Sequence, residues 1–197
     1  MIFKKQTAPK QLKLNLDSQL SINLIDTLLI DLHPAFVRPE GWFSIQAIAE
    51  LTPNVTIYAE NNGNAYMLEL DTVEDRIEAL RLYQNVLTLT PSEDEWTTLL
   101  ADISAKNLDM DGIAYQRTLG GQAEHADLFD YQEHIKTREE SYDCQNKMML
   151  FERRISPNNF QEQLKVIVEV IDSREQVDVA FYVGFSLHPS TLTLLGH

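Results

Sequence analysis

Gln176-Val177-Asp178-Val179-Ala180-Phe181-Tyr182-Val183-Gly184-Phe185-Ser186-Leu187-His188 alternates without a break. Successive side chains of an extended chain point to opposite faces, so Val177, Val179, Phe181, Val183, Phe185 and Leu187 share one face. Asp178, Ala180, Tyr182, Gly184, Ser186 and His188 share the other. One buried face and one wetter face is the mark of an antiparallel sheet. Asp172-Ser173-Arg174-Glu175, just before this run, is short enough for a hairpin from a preceding strand at 163–171.

Upstream, the same period of two predicts strands at 147–155, at 128–136 and around Ile113, Tyr115 and Arg117. The last of these is entered through Asp111-Gly112 and left through Gly120-Gly121. Before Gly112 the period is helical. Thr90-Pro91-Ser92-Glu93 reads as a capping box with proline at the first helical position, opening a helix that ends near Ala105. Trp96, Leu99, Leu100 and Ile103 form its apolar face. Residues 76–90 carry both periods, with Ile77, Leu80, Leu82 and Tyr83 fitting a helix and Leu80, Leu82, Val86 and Leu89 a strand; a strand over 79–88 is the preferred reading. Val55, Ile57 and Ala59, the turn Asn61-Asn62-Gly63-Asn64, and Tyr66, Leu68 and Leu70 make a hairpin, because Asn and Gly tolerate positive φ. Residues 42–51 read as a strand, and Leu12, Leu14 and Leu16 as a short one. Leu24, Ile25, Leu28, Leu29 and Leu32 have helical spacing after Ser18 or Ser21, and His33-Pro34 ends the run. Leu20, Ile22 and Leu24 alternate within that same stretch. The expected fold class is therefore α+β: a largely antiparallel sheet with one or two helices packed against it. The expected organisation is a single domain over residues 1–197, with two subdomains meeting near 105–112 as the alternative.

Composition narrows the function classes. The chain has 197 residues and a formal net charge of −14, which disfavours phosphate backbones and anionic lipid. Nucleic acid is not an expected partner. The one cysteine, Cys144, rules out an intramolecular disulfide and fits a reducing, cytoplasmic setting. The lysines of the first residues are followed by no apolar run, which argues against a secretory signal. The most apolar window, 20–32, is too short for the roughly 20 residues of a membrane span. Charge is uneven: residues 69–111 hold eleven acids and three bases, and the first twenty residues hold four lysines and one acid. A basic tip on an acidic body would suit an acidic partner; a solvated terminus is the plainer reading.

No catalytic, cofactor or metal residue is assigned from the sequence. His125, Asp127, Glu133 and His134 share an acidic stretch, but in a strand Glu133 and His134 point to opposite faces, and His125 and Asp127 lack a third ligand. Asp109-Met110-Asp111-Gly112 resembles the start of a calcium loop, yet residues 113–120 hold no closing carboxylate, so it reads as a turn. Cys144 has Asp143 and Gln145 beside it and no base; carboxylates would raise its pKa. Arg153-Arg154 in a strand sends one side chain in and one out, the inward one to pair with carboxylate. Glu139-Glu140 diverge. Gly120-Gly121 lacks the strand-to-helix setting of a phosphate loop, and no nucleophile elbow, Walker loop or dinucleotide fingerprint is present.

Several runs in order carry a resemblance: Trp42-Phe43-Ser44-Ile45-Gln46-Ala47-Ile48-Ala49, the hairpin through Asn61 to Asn64, Leu82-Tyr83 before the Thr90-Pro91 helix with Trp96, Asp111-Gly112 leading to Tyr115 and Arg117, and Met149-Leu150-Phe151-Glu152-Arg153. Over about residues 10 to 190 the chain resembles the YjfK-like family of uncharacterised bacterial proteins. That family has no assigned activity, so the resemblance transfers no catalytic residue. Its members tend to be encoded beside PspA-like envelope-stress proteins, which implies an accessory role near the inner membrane. The expectation is a non-enzymatic binding or accessory protein with a protein partner. The alternatives are a hydrolase assembled from His125, His134, Glu133 and Arg117, and a self-associating scaffold that forms a homo-oligomer through a sheet edge.

Overall fold

The computed structural model describes residues 14–51, 54–74, 76–156, 158–171 and 176–195. Its elements run β1 (Gln19–Ile22), β2 (Trp42–Leu51), β3 (Asn54–Asn61), β4 (Asn64–Val73), β5 (Arg76–Leu89), α1 (Glu93–Ser104), β6 (Asn107–Met110), β7 (Ile113–Arg117), β8 (Phe129–Lys136), β9 (Ser141–Ile155), β10 (Phe160–Ile171), β11 (Gln176–Leu187) and β12 (Leu192–Leu195). The main path through the sheet is β12-β1-β2-β3-β4-β5-β11-β10-β9-β7-β6. β8 lies off this path and pairs antiparallel with both β2 and β9. That second pairing closes β2-β3-β4-β5-β11-β10-β9-β8 into an eight-stranded antiparallel barrel.

The α+β expectation is thereby overturned. The eight barrel strands and β7 lie close to where the period of two places them, while β1, β6 and β12 were not expected, and the wetter face of the sheet is turned inward instead of facing bulk water. Glu69 of β4 pairs with Lys165 of β10, across β5 and β11. Three steps of a flat sheet would separate these strands by about 14 Å. Tyr58 of β3 likewise reaches Glu133 of β8 across β2, and Tyr83 of β5 reaches Gln163 of β10 across β11. Only a concave face brings such side chains together. The opposite set on β8, Asp130, Gln132, His134 and Lys136, is exposed. Register shifts at Ile45/Ala47, Asp71/Thr72 and Phe181/Tyr182 bend the wall. Gly184 permits close packing, since a Cβ there would lie 2.2 Å from the Leu82 carbonyl and 2.4 Å from the Tyr83 ring.

The apolar core lies on the outside of this wall. Leu68, Leu70, Leu80, Leu82, Val166, Val183 and Phe185 are wholly buried there. Leu16, Leu24, Leu32 and Phe36 from the segment before β2, Trp96, Leu99 and Ile103 of α1, and Met110 and Tyr115 of the β6–β7 hairpin pack against them. Phe36 meets Phe185 at a ring separation of 5.2 Å.

Three local expectations shift. Residues 20–32 form β1 and a single 3-10 turn at Ile25–Thr27 in place of a helix. The alternation Leu20, Ile22 prevails because β12 and β2 hydrogen-bond on either side of β1, and isolated helical spacing contributes little without a face to bury. Leu12 lies outside the described residues; Leu14 and Leu16 pack on the core but belong to no strand. The capping box is two residues later than read. Ser92 caps α1, and Glu95 accepts from its amide at 2.9 Å and its hydroxyl at 2.7 Å. Thr90 donates instead to Asp178 at 2.6 Å.

Candidate functional site

The barrel lumen holds a chain of charged and aromatic groups. Arg81 pairs with Asp71 at 2.8 Å and lies 3.8 Å from Glu69. Glu69 pairs with Lys165, whose Nζ stands 5.7 Å from the Tyr83 ring centre and 5.9 Å from that of Tyr131. Glu133 accepts from the Tyr58 hydroxyl at 2.9 Å and from Asn146 Nδ2 at 3.1 Å. Asn146 Oδ1 accepts from Cys144 Sγ at 3.3 Å, and Glu169 Oε1 lies 3.6 Å from the same sulfur. Burial raises the Glu133 carboxyl above its ordinary range, against the pull of Tyr58 and Lys165. Burial first, and Glu133 second, raise the Tyr58 phenol. Burial and Glu169 push the Cys144 thiol up to about 11, which leaves it unreactive as a nucleophile at neutral pH.

A second buried hub sits on the outer face. The Glu162 carboxylate is fully buried and accepts from the His33 amide at 2.7 Å, the Tyr115 hydroxyl at 2.6 Å and Arg153 Nε at 2.5 Å. Arg153 also donates to the Asp31 carbonyl at 3.0 Å. One carboxylate thus ties the 31–33 segment, β7 and β9 to β10. His33 Nδ1 accepts from the Ala35 amide, which leaves its buried Nε2 as the protonated nitrogen. This hub is structural: every polar atom of Glu162 is consumed by the fold.

The residues singled out in the sequence do not come together. His134 is exposed and pairs with Asp143 at 2.9 Å, while Glu133 points into the lumen, the divergence a strand requires. His125 and Asp127 are exposed, and His125 bridges Ala105. Arg117 is buried and gives its donors to the carbonyls of Leu119, Ser104 and Ala123, holding the 118–126 loop. Asp109 accepts from the Gly112 amide at 2.9 Å in a plain turn. Arg153 turns into the buried hub on Glu162, and Arg154, on the opposite side of β9, is exposed beside Asn159. Among the described residues, no three His, Cys, Asp or Glu side chains gather to hold a metal ion. Lys165, Glu69, Tyr58 and Glu162 were not singled out from the sequence. Their signal is there in β10, where Glu162 and Lys165 stand on opposite faces of Phe160–Ile171 beside the apolar run 166–168. A buried charge on each face of a strand requires a partner on both.

The loop after β1 presents the opposite chemistry. Leu29 is 97 % exposed, Ile25 65 % and Leu28 60 %. The loop is nonetheless firmly built. Asn23 Oδ1 accepts from the Ile25 amide at 3.0 Å, buried Thr27 donates to the Leu24 carbonyl at 2.9 Å, and Arg38 Nη2 donates to the carbonyls of Thr27 and Ile30 at 2.8 and 2.9 Å. Asp26 and Asp31 flank the apolar tip and are exposed.

A family model described as "Protein of unknown function (DUF2491)" matches residues 1–193, and the chain belongs to that family. No curated protein and no solved structure matches it.

Proposed function

From membership of a family with no assigned activity and from the built apolar tip after β1, we infer that this chain is a non-enzymatic accessory protein that binds a protein partner through Ile25, Leu28 and Leu29. The observation that carries the reading is Leu29, almost fully exposed at 97 % on a loop held by the four hydrogen bonds named above. Exposed aliphatic groups on an ordered loop cost solvation free energy that a partner would recover. The acidic collar of Asp26 and Asp31, on a chain of net charge −14, favours a partner whose apolar groove is rimmed by basic residues. Among the described residues, no helix is long and apolar enough to cross a membrane. The YjfK-like resemblance supports a cytoplasmic role in envelope stress and names a PspA-like protein as the first partner to try.

The test is a photo-crosslinking residue at position 29, and a control at the exposed Thr97 of α1, in the native host. A partner crosslinked from position 29 is then purified, and its binding measured with wild type and with Leu29→Asp. The reading requires binding lost by at least about tenfold, roughly 1.4 kcal/mol, with an unchanged circular dichroism spectrum. Equal crosslinking from both positions, or unchanged binding by Leu29→Asp, refutes it.

A further inference from the structure

A cavity of about 850 Å³ beside the β8–β9 hairpin is lined by Tyr131, Tyr142, Cys144, Asn146 and Glu169 among other residues. Its size is that of a small-molecule site. Tyr131, Asn146 and Glu169 stand in one cross-strand row over β8, β9 and β10. Tyr142 is 42 % exposed, so its ring is open to a ligand.

The charges around this cavity are unequal. Asp130 is paired with Lys147 and Asp143 with His134. Glu169 has only the Cys144 thiol and no cation among the described residues. Deeper in the barrel, Glu69, Asp71 and Glu133 share Arg81 and Lys165. The inward groups named here thus carry four carboxylates and two cations.

The neighbouring lumen already shows what such a set accepts. The Lys165 ammonium is held by a carboxylate and by the rings of Tyr83 and Tyr131. Tyr131 belongs to both places: it contacts that ammonium and it lines the cavity. On the cavity side, the Tyr131 and Tyr142 rings and the Glu169 carboxylate line one space, and Lys147, the one cation in its lining, is taken by Asp130. Ring faces attract cations electrostatically, most strongly where water is partly excluded, and a carboxylate supplies the counter-charge.

We propose that this cavity binds a primary alkylammonium group, seated between Tyr131 and Tyr142 against Glu169. The group is either a free amine or the end of a lysine side chain, since both present the same head and a short apolar stem.

Calorimetric titration of the full chain decides this with n-butylammonium chloride and, separately, Nα-acetyl-lysine methylamide, each against potassium chloride at equal ionic strength. Saturable heat is expected from at least one amine and not from potassium. Saturation by butylammonium identifies a free amine; saturation by the lysine derivative alone identifies a side chain. Glu169→Gln and Tyr142→Ala, both at exposed positions, should each weaken binding about tenfold or more. Asp94→Asn on α1 should leave it unchanged. The proposal is overturned if neither amine saturates, if potassium gives the same response, or if Glu169→Gln binds like wild type. Circular dichroism of each variant separates lost binding from lost fold.

Discussion

Lys165→Met removes the cation at the centre of the lumen while keeping an unbranched side chain of similar length. Three interactions go at once: the ion pair with Glu69, the attraction to Glu133, and the contacts with the rings of Tyr83 and Tyr131. Breaking a buried pair by deleting one partner costs about 3–5 kcal/mol, because the other charge stays behind without compensation. Two features place this site at the lower end of that range. The Glu69 side chain keeps 18 % of its exposure, and Arg81 remains 3.8 Å away. The expected loss is about 3 kcal/mol. For a chain of 197 residues that corresponds to a drop in melting temperature of about 6–12 °C. Urea unfolding and calorimetry at neutral pH read both quantities. The double variant Lys165→Met/Glu69→Gln should regain much of the loss, since it leaves no orphaned carboxylate on β4. A single variant within about 1 kcal/mol of wild type, or a double variant worse than the single, would refute the view that opposite charges hold the lumen together.

Glu133→Gln addresses the other carboxylate. Its folded-state pKa is raised by burial, so the stability it contributes is complete below the ordinary glutamate range and is lost as pH rises through the raised value. Glu133→Gln should therefore gain on wild type as pH is increased from about 4 towards neutrality, then run parallel to it; urea midpoints across that span would show a constant difference if burial does not control the group. Gly184→Ala forces a methyl against the Leu82 carbonyl and the Tyr83 ring, and should cost about 1–3 kcal/mol or more by overpacking; an unchanged melting temperature would contradict the close approach of β5 and β11. Cys144, with its thiol pushed up to about 11 and the residue buried, should react with iodoacetamide at pH 8 far more slowly in the folded chain than in urea, and equal rates would show that the sulfur is open.

Strand positions were largely legible because side-chain alternation reports extended backbone locally. β11 spans Gln176–Leu187, where its alternation places it, and the turn at Asn62 and Gly63 has the positive φ angles, 51° and 78°, that its composition anticipates. What alternation does not report is which way a sheet curls. Asp178, Ala180, Tyr182 and Gly184 form the less apolar side of β11 whether that side faces solvent or a lumen. The difference lies in long-range pairing: β8 meets β2 through only three residue pairs, Ile48 with Lys136, Ala49 with Ile135 and Glu50 with His134. No pattern within residues 129–136 specifies that contact. The same limit hid the lumen network, whose members sit on β3, β4, β5, β8, β9 and β10, far apart in the chain. It also explains the helix expected at 20–32, where leucines that could have covered a helical face are divided between the core and the exposed tip.

The closure by β8 is also what makes the lumen chemistry costly enough to be informative. In an open sheet Glu133 would be hydrated and would need nothing from Tyr58, Asn146 or Lys165. Once β8 seals the wall, Glu133 is 3 % exposed and its charge must be met from other strands. The polar side chains that meet it come from β3, β9 and β10, so each carboxylate–cation contact is simultaneously a strand-to-strand fastening across the barrel. A barrel fastened in this way can tolerate a wet interior, and its stability then depends on charge balance in the lumen as well as on the apolar layer outside the wall. A soluble cation that completes that balance at Glu169 would therefore stabilise the fold it binds, by RT ln(1 + [L]/Kd), so a rise in melting temperature with alkylammonium that Glu169→Gln abolishes would connect the site and the fold in one measurement.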